Sequence, residues 1–302
     1  MRAPASAGDA APDPAPTSVI VAHRTEELRE AILERRRGGD SVGFVPTMGM
    51  LHDGQLSLMR RAREENGCLV VSSFVNPHAF STLDEGDSGV RDHVRDLALM
   101  EHAAVDIAFL PDVGILYPPD DTTRVTVEGL TRQLEGASRP GHLDGLTTVM
   151  LKLIHLVGPA RFYMGQRHAQ QIVIVRRMLR DLFMNVELVI CPTVRDDDGL
   201  ALSSANALLG IEERHAATCL FNALNAARAA YDAGERSAEV LRWRMTDVMG
   251  AESRARIDYV SVADADSLVE LQRVSGPALA IIAAWIGRAR LTDNMTLAWD
   301  VA

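Results

Sequence analysis

The run Gly43-Phe44-Val45-Pro46-Thr47-Met48-Gly49-Met50-Leu51-His52-Asp53-Gly54-Gln55 carries an apolar strand pattern into a glycine-punctuated turn and then opens a helix. Such a turn can do phosphate chemistry. Gly49 and Gly54 permit close backbone approach to a ligand, free N–H groups at a helix start near Gln55 favour an anion, and His52 could donate to a phosphate. The same pattern also fits an ordinary strand-to-helix turn with a solvated histidine, and the run alone does not choose between the two. His93, His102, His155 and His215 fall in helical stretches without metal-ligand partners at matching spacing, so they read as surface or satisfied core. Asp196, Asp197 and Asp198 read as a solvated turn before Gly199, with a magnesium contact as the alternative.

These groups need a scaffold, and hydrophobic periodicity supplies its outline. An apolar run at 19–22, a helical pattern over Thr25–Arg37 and a second strand at 42–45 lead into the glycine turn. A helix over 55–65, a strand over 68–75, a helix near 91–103 and a strand over 105–110 follow. Met150, Leu153, Ile154 and Val157 recur at helical spacing, 161–164 is a short strand, 168–183 a helix and 186–190 a strand. Alternation of this kind implies a parallel, doubly wound α/β sheet with helices on both faces. The turn after 42–45 then lies at the carboxyl end of the sheet, where open α/β folds bind ligands. After Pro192 the texture changes to two amphipathic helices (216–227 and 238–249) and two β-like runs (258–262 and 279–285). We therefore expect domains at 18–193 and 194–302, the second a smaller α+β unit, behind a disordered leader at 1–17 that is rich in Ala, Pro, Ser and Asp.

Composition excludes several classes. A chain of 302 residues with 47% hydrophobic and 24% charged residues supports one large or two ordinary cores. A formal charge of -10 opposes nucleic-acid binding, which leaves small molecules as the expected partners. The cysteines, Cys68, Cys191 and Cys219, are widely spaced among apolar neighbours and suggest neither disulfides nor a zinc site, in keeping with a cytoplasmic protein. No run reaches the roughly 18 apolar residues of a membrane span, and the first residues lack the order of a signal peptide.

Further segments add specificity to the opening turn. Pro46-Thr47-Met48-Gly49, His52-x-Gly54, Phe74-Val75-Asn76-Pro77, Arg139-Pro140-Gly141-His142, Gln170-Gln171 and Pro192-Thr193-Val194-Arg195 stand in order, followed by Asp198-Gly199-Leu200-Ala201-Leu202-Ser203-Ser204. With Arg256-Ile257-Asp258-Tyr259 and Arg290-Leu291-Thr292-Asp293-Asn294 they resemble the pantothenate synthetase family across about 19–297. The resemblance implies a Rossmann-like fold of the adenylyl-transferring superfamily, a C-terminal lid, a homodimer, and ATP with Mg2+ as cofactors. It implies a ligase that joins a small carboxylic acid to an amine through an acyl-adenylate. Carried over by position, His52, Gln55, Arg167, Ser203 and Ser204 would serve catalysis. Pro46, Thr47, Met48, Gly49, His52, Gly54, Gly165, Arg167, Val194, Ser203 and Ser204 would hold the nucleotide. Met48, Phe74, Asn76, Ala79, Arg139 and Gln171 would hold the acid, with His142 orienting Arg139.

The departures fall on these positions. The resemblance implies a second histidine at Gln55, a glutamine at Ala79, Glu-Lys-Asp at Gln166-Arg167-His168, an arginine at Ala205 and Tyr-Pro-Arg at Gly89-Val90-Arg91. Gln55 can donate a hydrogen bond but never carries charge. Arg167 keeps a cation in a different shape, and Ala205 removes one. Loss of one preorganised donor to developing charge costs about 2.7–4 kcal/mol. A protonated His168 would restore charge; a solvent-exposed His168 would not. An acid pocket with Ala79 in place of an amide suits an acid lacking pantoate's hydroxyl arrangement, because an unpaired buried amide discriminates by roughly 10⁴, unless His78 substitutes for it. Three readings follow: a ligase of this type acting on an altered acid or amine, which the departures favour; a divergent enzyme acting on pantoate and β-alanine; and a ligand-binding paralogue that does not adenylate.

Overall fold

The computed structural model describes residues 18–77 and 92–298. The expected leader, His78, Ala79 and the Gly89-Val90-Arg91 segment lie outside the described residues. The chain runs β1 (Ile20–Ala22), α1 (Thr25–Arg37), β2 (Val42–Thr47), α2 (Asp53–Glu65), β3 (Cys68–Ser73), α3 (His93–His102) and β4 (Ile107–Phe109). It continues through the short α4 (Val113–Leu116) and α5 (Glu135–Ser138) to α6 (His142–Val157), β5 (Arg161–Gly165), α7 (Ala169–Asp181) and β6 (Glu187–Cys191). These six strands are parallel and ordered β1-β4-β3-β2-β5-β6.

Burial explains the sheet. Every residue of β3 is buried, as a strand covered on both faces must be. One face packs on Leu28 and Ile32 of α1, Leu153 and Val157 of α6, and Ile172 and Leu179 of α7. The other packs on Leu58 and Met59 of α2 and Met100 of α3. The chain builds outward from β2 in one direction through β3 and β4, then returns to place β5 on its other side. The order therefore reverses between β2 and β5. The loops leaving their carboxyl ends, after Thr47 and after Gly165, flank the crevice where doubly wound sheets take ligands.

From Ser204 the chain forms a short 3-10 turn (Ser204–Leu208), α8 (Ile211–Ala216), α9 (Cys219–Asp232), α10 (Ala238–Gly250) and an antiparallel sheet. The sheet is β7 (Ala255–Asp264), β8 (Ala278–Ile286) and β9 (Ala289–Leu297), with β8 central. Alternate residues of β8 face α9 and α10 through Ala280, Ile282 and Ala284. Leu279 and Ile281 instead pack with Leu143, Leu146, Val173 and Ile174 of α6 and α7. A core shared in this way fixes the small sheet against the large one.

The outline read from periodicity holds for the main elements, but the helix expected over 216–227 is broken, α8 ending at Ala216 and α9 running from Cys219 to Asp232, and two further corrections follow. Helix α6 begins at His142, eight residues before the apolar repeat starting at Met150, because Leu143 and Leu146 extend the stripe toward the small sheet. Strand β9 escaped notice because Asp293 occupies one of its buried positions and Asn294 is buried on the opposite side, breaking the apolar alternation.

Candidate functional site

A cleft of about 350 Å³ opens where the sheet order reverses, between the β2 and β5 loops on one side and the Ser203–Ser204 turn and β8–β9 hairpin on the other. That size suits a small organic ligand. Its wall includes Pro46, Thr47, Met48, His52 and Gln55 from the opening motif, and Gly165, Arg167 and Gln171 from around β5. Ser203 and Ser204 face it, as do Phe74, Asn76 and Arg139. Gly49, Gly54 and Val194 do not. Each is a support residue instead.

The loop after β2 shows why. Gly49 (φ +84) and Met50 (φ +52) both take the left-handed conformation. This turns the Met50 and Leu51 N–H groups onto the buried Asp96 carboxylate at 2.8 and 2.9 Å. A Cβ at Gly49 would press on Asp96 and on Ser73 Oγ. The loop delivers His52 as the N-cap of α2. There the Gly54 N–H donates to His52 Nδ1 at 3.1 Å, and the His52 N–H donates to Gln55 Oε1 at 2.9 Å. Gly54 is required because any Cβ would collide with the His52 ring. Val194 lies in a small hairpin where its carbonyl accepts from Leu202 N–H.

This reciprocal cap satisfies two of the helix's orphan donors. It also fixes the chemistry of His52. With Nδ1 accepting, the neutral ring carries its proton on Nε2. Burial and the neighbouring Arg167 cation lower the His52 pKa, against a smaller opposing pull from Asp53. His52 is thus a neutral hydrogen-bond donor at neutral pH. Gln55, which the residue pattern cast as a lost cation, holds the helix start through its oxygen and retains its amide N–H groups.

Arg167 stands at the centre. Burial lowers its pKa, an effect that Asp293 and Glu135 oppose from a distance. No hydrogen bond or ion pair reaches its guanidinium among the described residues, and its Nε is buried without a partner. Beside it, His168 lines the cleft with an exposed side chain, and desolvation of its ring and the Arg167 charge push its pKa down to about 4. The imidazolium expected to restore lost charge does not form there at neutral pH. The backbone carbonyls of Gln166 and Arg167 both accept from Asn294 Nδ2 at 2.9 Å, so β9 holds this turn in place.

At the other end, Glu135 is the hub of an ionic cluster. Arg139 approaches it at 2.8 Å, Arg290 at 3.3 Å and His142 at 3.4 Å. Desolvation would raise the Glu135 pKa, but His142, Arg290 and Arg139 together hold it below the usual carboxylate range. Arg290 also reaches Asp258 at 2.8 Å. Nearby, Asn76 Nδ2 donates to the Gly145 carbonyl at 2.8 Å. The Gln171 amide makes no hydrogen bond among the described residues. It is free for a ligand.

Sequence reasoning missed Glu135, Asp96, Asn294 and Arg288, the last of which also lines the cleft. A signal existed for Glu135, since Glu135 and Arg139 sit at the i, i+4 spacing that pairs charges on a helix. Asp196 and Asp198 both bind Arg214 at 2.7 Å, and neither reaches the cleft. His93, His102, His155 and His215 are exposed, as expected. The three cysteines are free and buried. Among the described residues no three acidic, histidine or cysteine side chains could hold a metal, and no helix is long and apolar enough to cross a membrane.

Strand order and cleft define a Rossmann-like doubly wound protein with an anion-seeking crevice, closed on one side by a small antiparallel sheet. A family model described as pantoate-beta-alanine ligase matches residues 20–296. A pantothenate synthetase of Roseiflexus sp. (strain RS-1) is 50% identical over 257 residues, covering 85% of this chain and 92% of that one. The crystal structure of pantothenate synthetase from Thermus thermophilus superposes with a TM-score of 0.87 at 42% identity, covering 92% of this chain and 99% of that one. A pantoate-beta-alanine ligase from Francisella tularensis, complexed with beta-gamma ATP and beta-alanine, gives 0.75 at 28% identity, covering 94% and 100%. The chain belongs to the pantoate-beta-alanine ligase family and is a ligase of the pantothenate-synthetase type.

Proposed function

We propose that the cleft joins pantoate to β-alanine at the expense of ATP. The observation that carries a phosphate ligand is Arg167, a half-buried cation that makes no hydrogen bond or ion pair with a described residue, at the point where the sheet order reverses. The 50% identity to a relative named pantothenate synthetase supports the ordinary substrate pair over the altered pair that the residue changes favoured. In this reading the acid carboxylate attacks the α-phosphorus, the bond to the bridging oxygen breaks, and pyrophosphate leaves. The amine then attacks the acyl carbon, AMP departs, and the amine's proton passes to solvent.

Arg167, the Nε2–H of His52, the Gln55 amide and the Ser203 and Ser204 hydroxyls would meet the phosphate oxygens as charge builds on them. Asn76, Gln171 and Arg139 would orient the acid beside Met48 and Phe74. Among the described residues no cluster of acidic, histidine or cysteine side chains forms a metal cage, and a magnesium ion entering with ATP would supply positive charge beside the leaving pyrophosphate. Residues 18–193 would form the nucleotide- and acid-binding domain and 194–302 the lid, in a cytoplasmic homodimer. Unpaired, buried cysteines support the reducing compartment.

Incubation with ATP, Mg2+, pantoate and β-alanine should release AMP and form pantothenate. A second reading, an altered acid or amine, draws on the departures from the family pattern, of which Gln55 and Ala205 line the cleft. A panel of acids and amines separates them. AMP release with another pair, and none with pantoate and β-alanine, would replace the first reading with the second.

A further inference from the structure

The cationic side chains of the cleft differ in whether the protein already neutralises them. Arg139, Arg290 and His142 are bound to Glu135, and Arg290 takes Asp258 as well. His52 and His168 are held toward their neutral forms by burial and by Arg167. Arg167 and Arg288 are left. Both line the cleft, and neither makes a side-chain hydrogen bond or ion pair with a described residue.

Arg288 has a firm base. Strands β8 and β9 pair without interruption from Ala278↔Leu297 to Ile286↔Ala289, so Gly287 and Arg288 alone form the turn. Gly287 takes φ +55, the left-handed first position that a two-residue hairpin matching strand twist favours. Its backbone packs so closely on the Glu213 carboxylate that any side chain would collide. That carboxylate is itself occupied by the Gly210 N–H at 2.8 Å. The hairpin tip therefore rests beside α8, and β9 packs on the Ser204–Leu208 turn. Arg288 shares the Ser203–Ser204 wall. Arg167 comes from the turn after β5 of the parallel sheet.

We propose that Arg288 is a second binding residue for the polyphosphate, gripping it from the hairpin while Arg167 grips it from the parallel sheet. A single short cation cannot neutralise a triphosphate, which carries three to four charges, and the remaining cleft arginines are committed to carboxylates. A guanidinium forms forked hydrogen bonds with phosphate oxygens, and neither arginine spends a donor on a described residue, although the Arg167 Nε is buried. One anion bound by both would tie the small sheet to the large one across the cleft. This inference rests on the nucleotide reading above and deepens it.

The test measures binding of ATP and of inorganic tripolyphosphate by calorimetry in the full chain, without the acid. The variants are Arg288→Ala, Arg288→Lys, Arg167→Ala and, as a charge-matched control on an exposed face of α1, Arg37→Ala. Loss of a charge-assisted bond predicts that Arg288→Ala weakens both probes by about tenfold or more. Arg288→Lys should retain part of that affinity, and Arg37→Ala should change neither. The unfolding midpoint of unliganded Arg288→Ala should match the native chain, because Arg288 makes no hydrogen bond or ion pair with a described residue. If Arg167→Ala weakens both probes while Arg288→Ala binds like the native chain, Arg288 is not a phosphate residue and the nucleotide reading stands. If the native chain binds neither probe, that reading fails and this inference falls with it.

Discussion

Replacing Asp96 tests whether a helix residue outside the cleft builds the cleft's most informative loop. Asp96 is 2% exposed, and its two oxygens take the N–H groups of Met50 and Leu51. From the other side Arg95 Nη2 donates to the Leu51 carbonyl at 3.1 Å. Left-handed backbone at a non-glycine residue such as Met50 costs roughly 1–2 kcal/mol. Hydrogen bonds to a charged acceptor contribute about 1.5–3 kcal/mol each. The carboxylate thus outweighs the strain, and Asp96→Ala should cost about 3–6 kcal/mol. Asp96→Asn keeps one acceptor and should cost about 2–3 kcal/mol. Urea denaturation reads the stability, and calorimetry with ATP reads the site, where the loosened loop should weaken nucleotide binding about tenfold by misplacing His52. Both variants within about 0.5 kcal/mol of the native chain, with nucleotide affinity unchanged, would refute the assignment.

Other expectations follow from the same geometry. Desolvation and the Arg167 charge push the His168 pKa down to about 4 in the fold against its ordinary 6.5, so the unfolded chain carries more protons between those values and stability falls as pH drops through that window, by an amount that solvent at the exposed side chain keeps small. His52 acts in the same direction. Urea midpoints from pH 7 to 5 should decline less steeply in His168→Gln; an unchanged decline would count against a desolvated ring. Asp293 and Arg195 pair at 2.6 Å with Asp293 nearly inaccessible, so Asp293→Ala should lose about 3–5 kcal/mol in the same denaturation assay. Gln171→Ala should raise the KM for the acid about tenfold and leave ATP affinity unaltered; steady-state kinetics with each substrate varied in turn would check it.

Much of the fold is legible in the sequence, for identifiable physical reasons. Helix α1 was bounded correctly because Leu28, Ala31 and Ile32 form one buried stripe and Gly38 follows its last turn. The glycine turn after β2 was placed because only particular residues tolerate its backbone. Contacts between distant segments were not readable. Nothing local in His93–His102 tells that Asp96 receives two N–H groups from residues 46 and 45 positions earlier. Gln55 was weighed for the charge it lacks, whereas its oxygen completes a cap that the His-x-x-Gln spacing allowed. Ala205 does line the cleft as expected, but the unpaired arginine sharing its wall comes from a hairpin more than eighty residues away in the chain.

Strand β9 sets an order on how the molecule is made. Its Arg290 meets Glu135, its Asp293 meets Arg195, and its Asn294 clasps the turn that carries Arg167. On a ribosome that emits the chain from its amino end, the parallel sheet can assemble while the crevice it flanks is still missing these three fasteners. Competence to bind nucleotide then arrives as one late event, when residues 289–297 emerge and dock. A nascent chain halted after residue 288 should show the sheet's protection from proteolysis without retention on immobilised ATP, and retention at that length would show that the fastening occurs earlier.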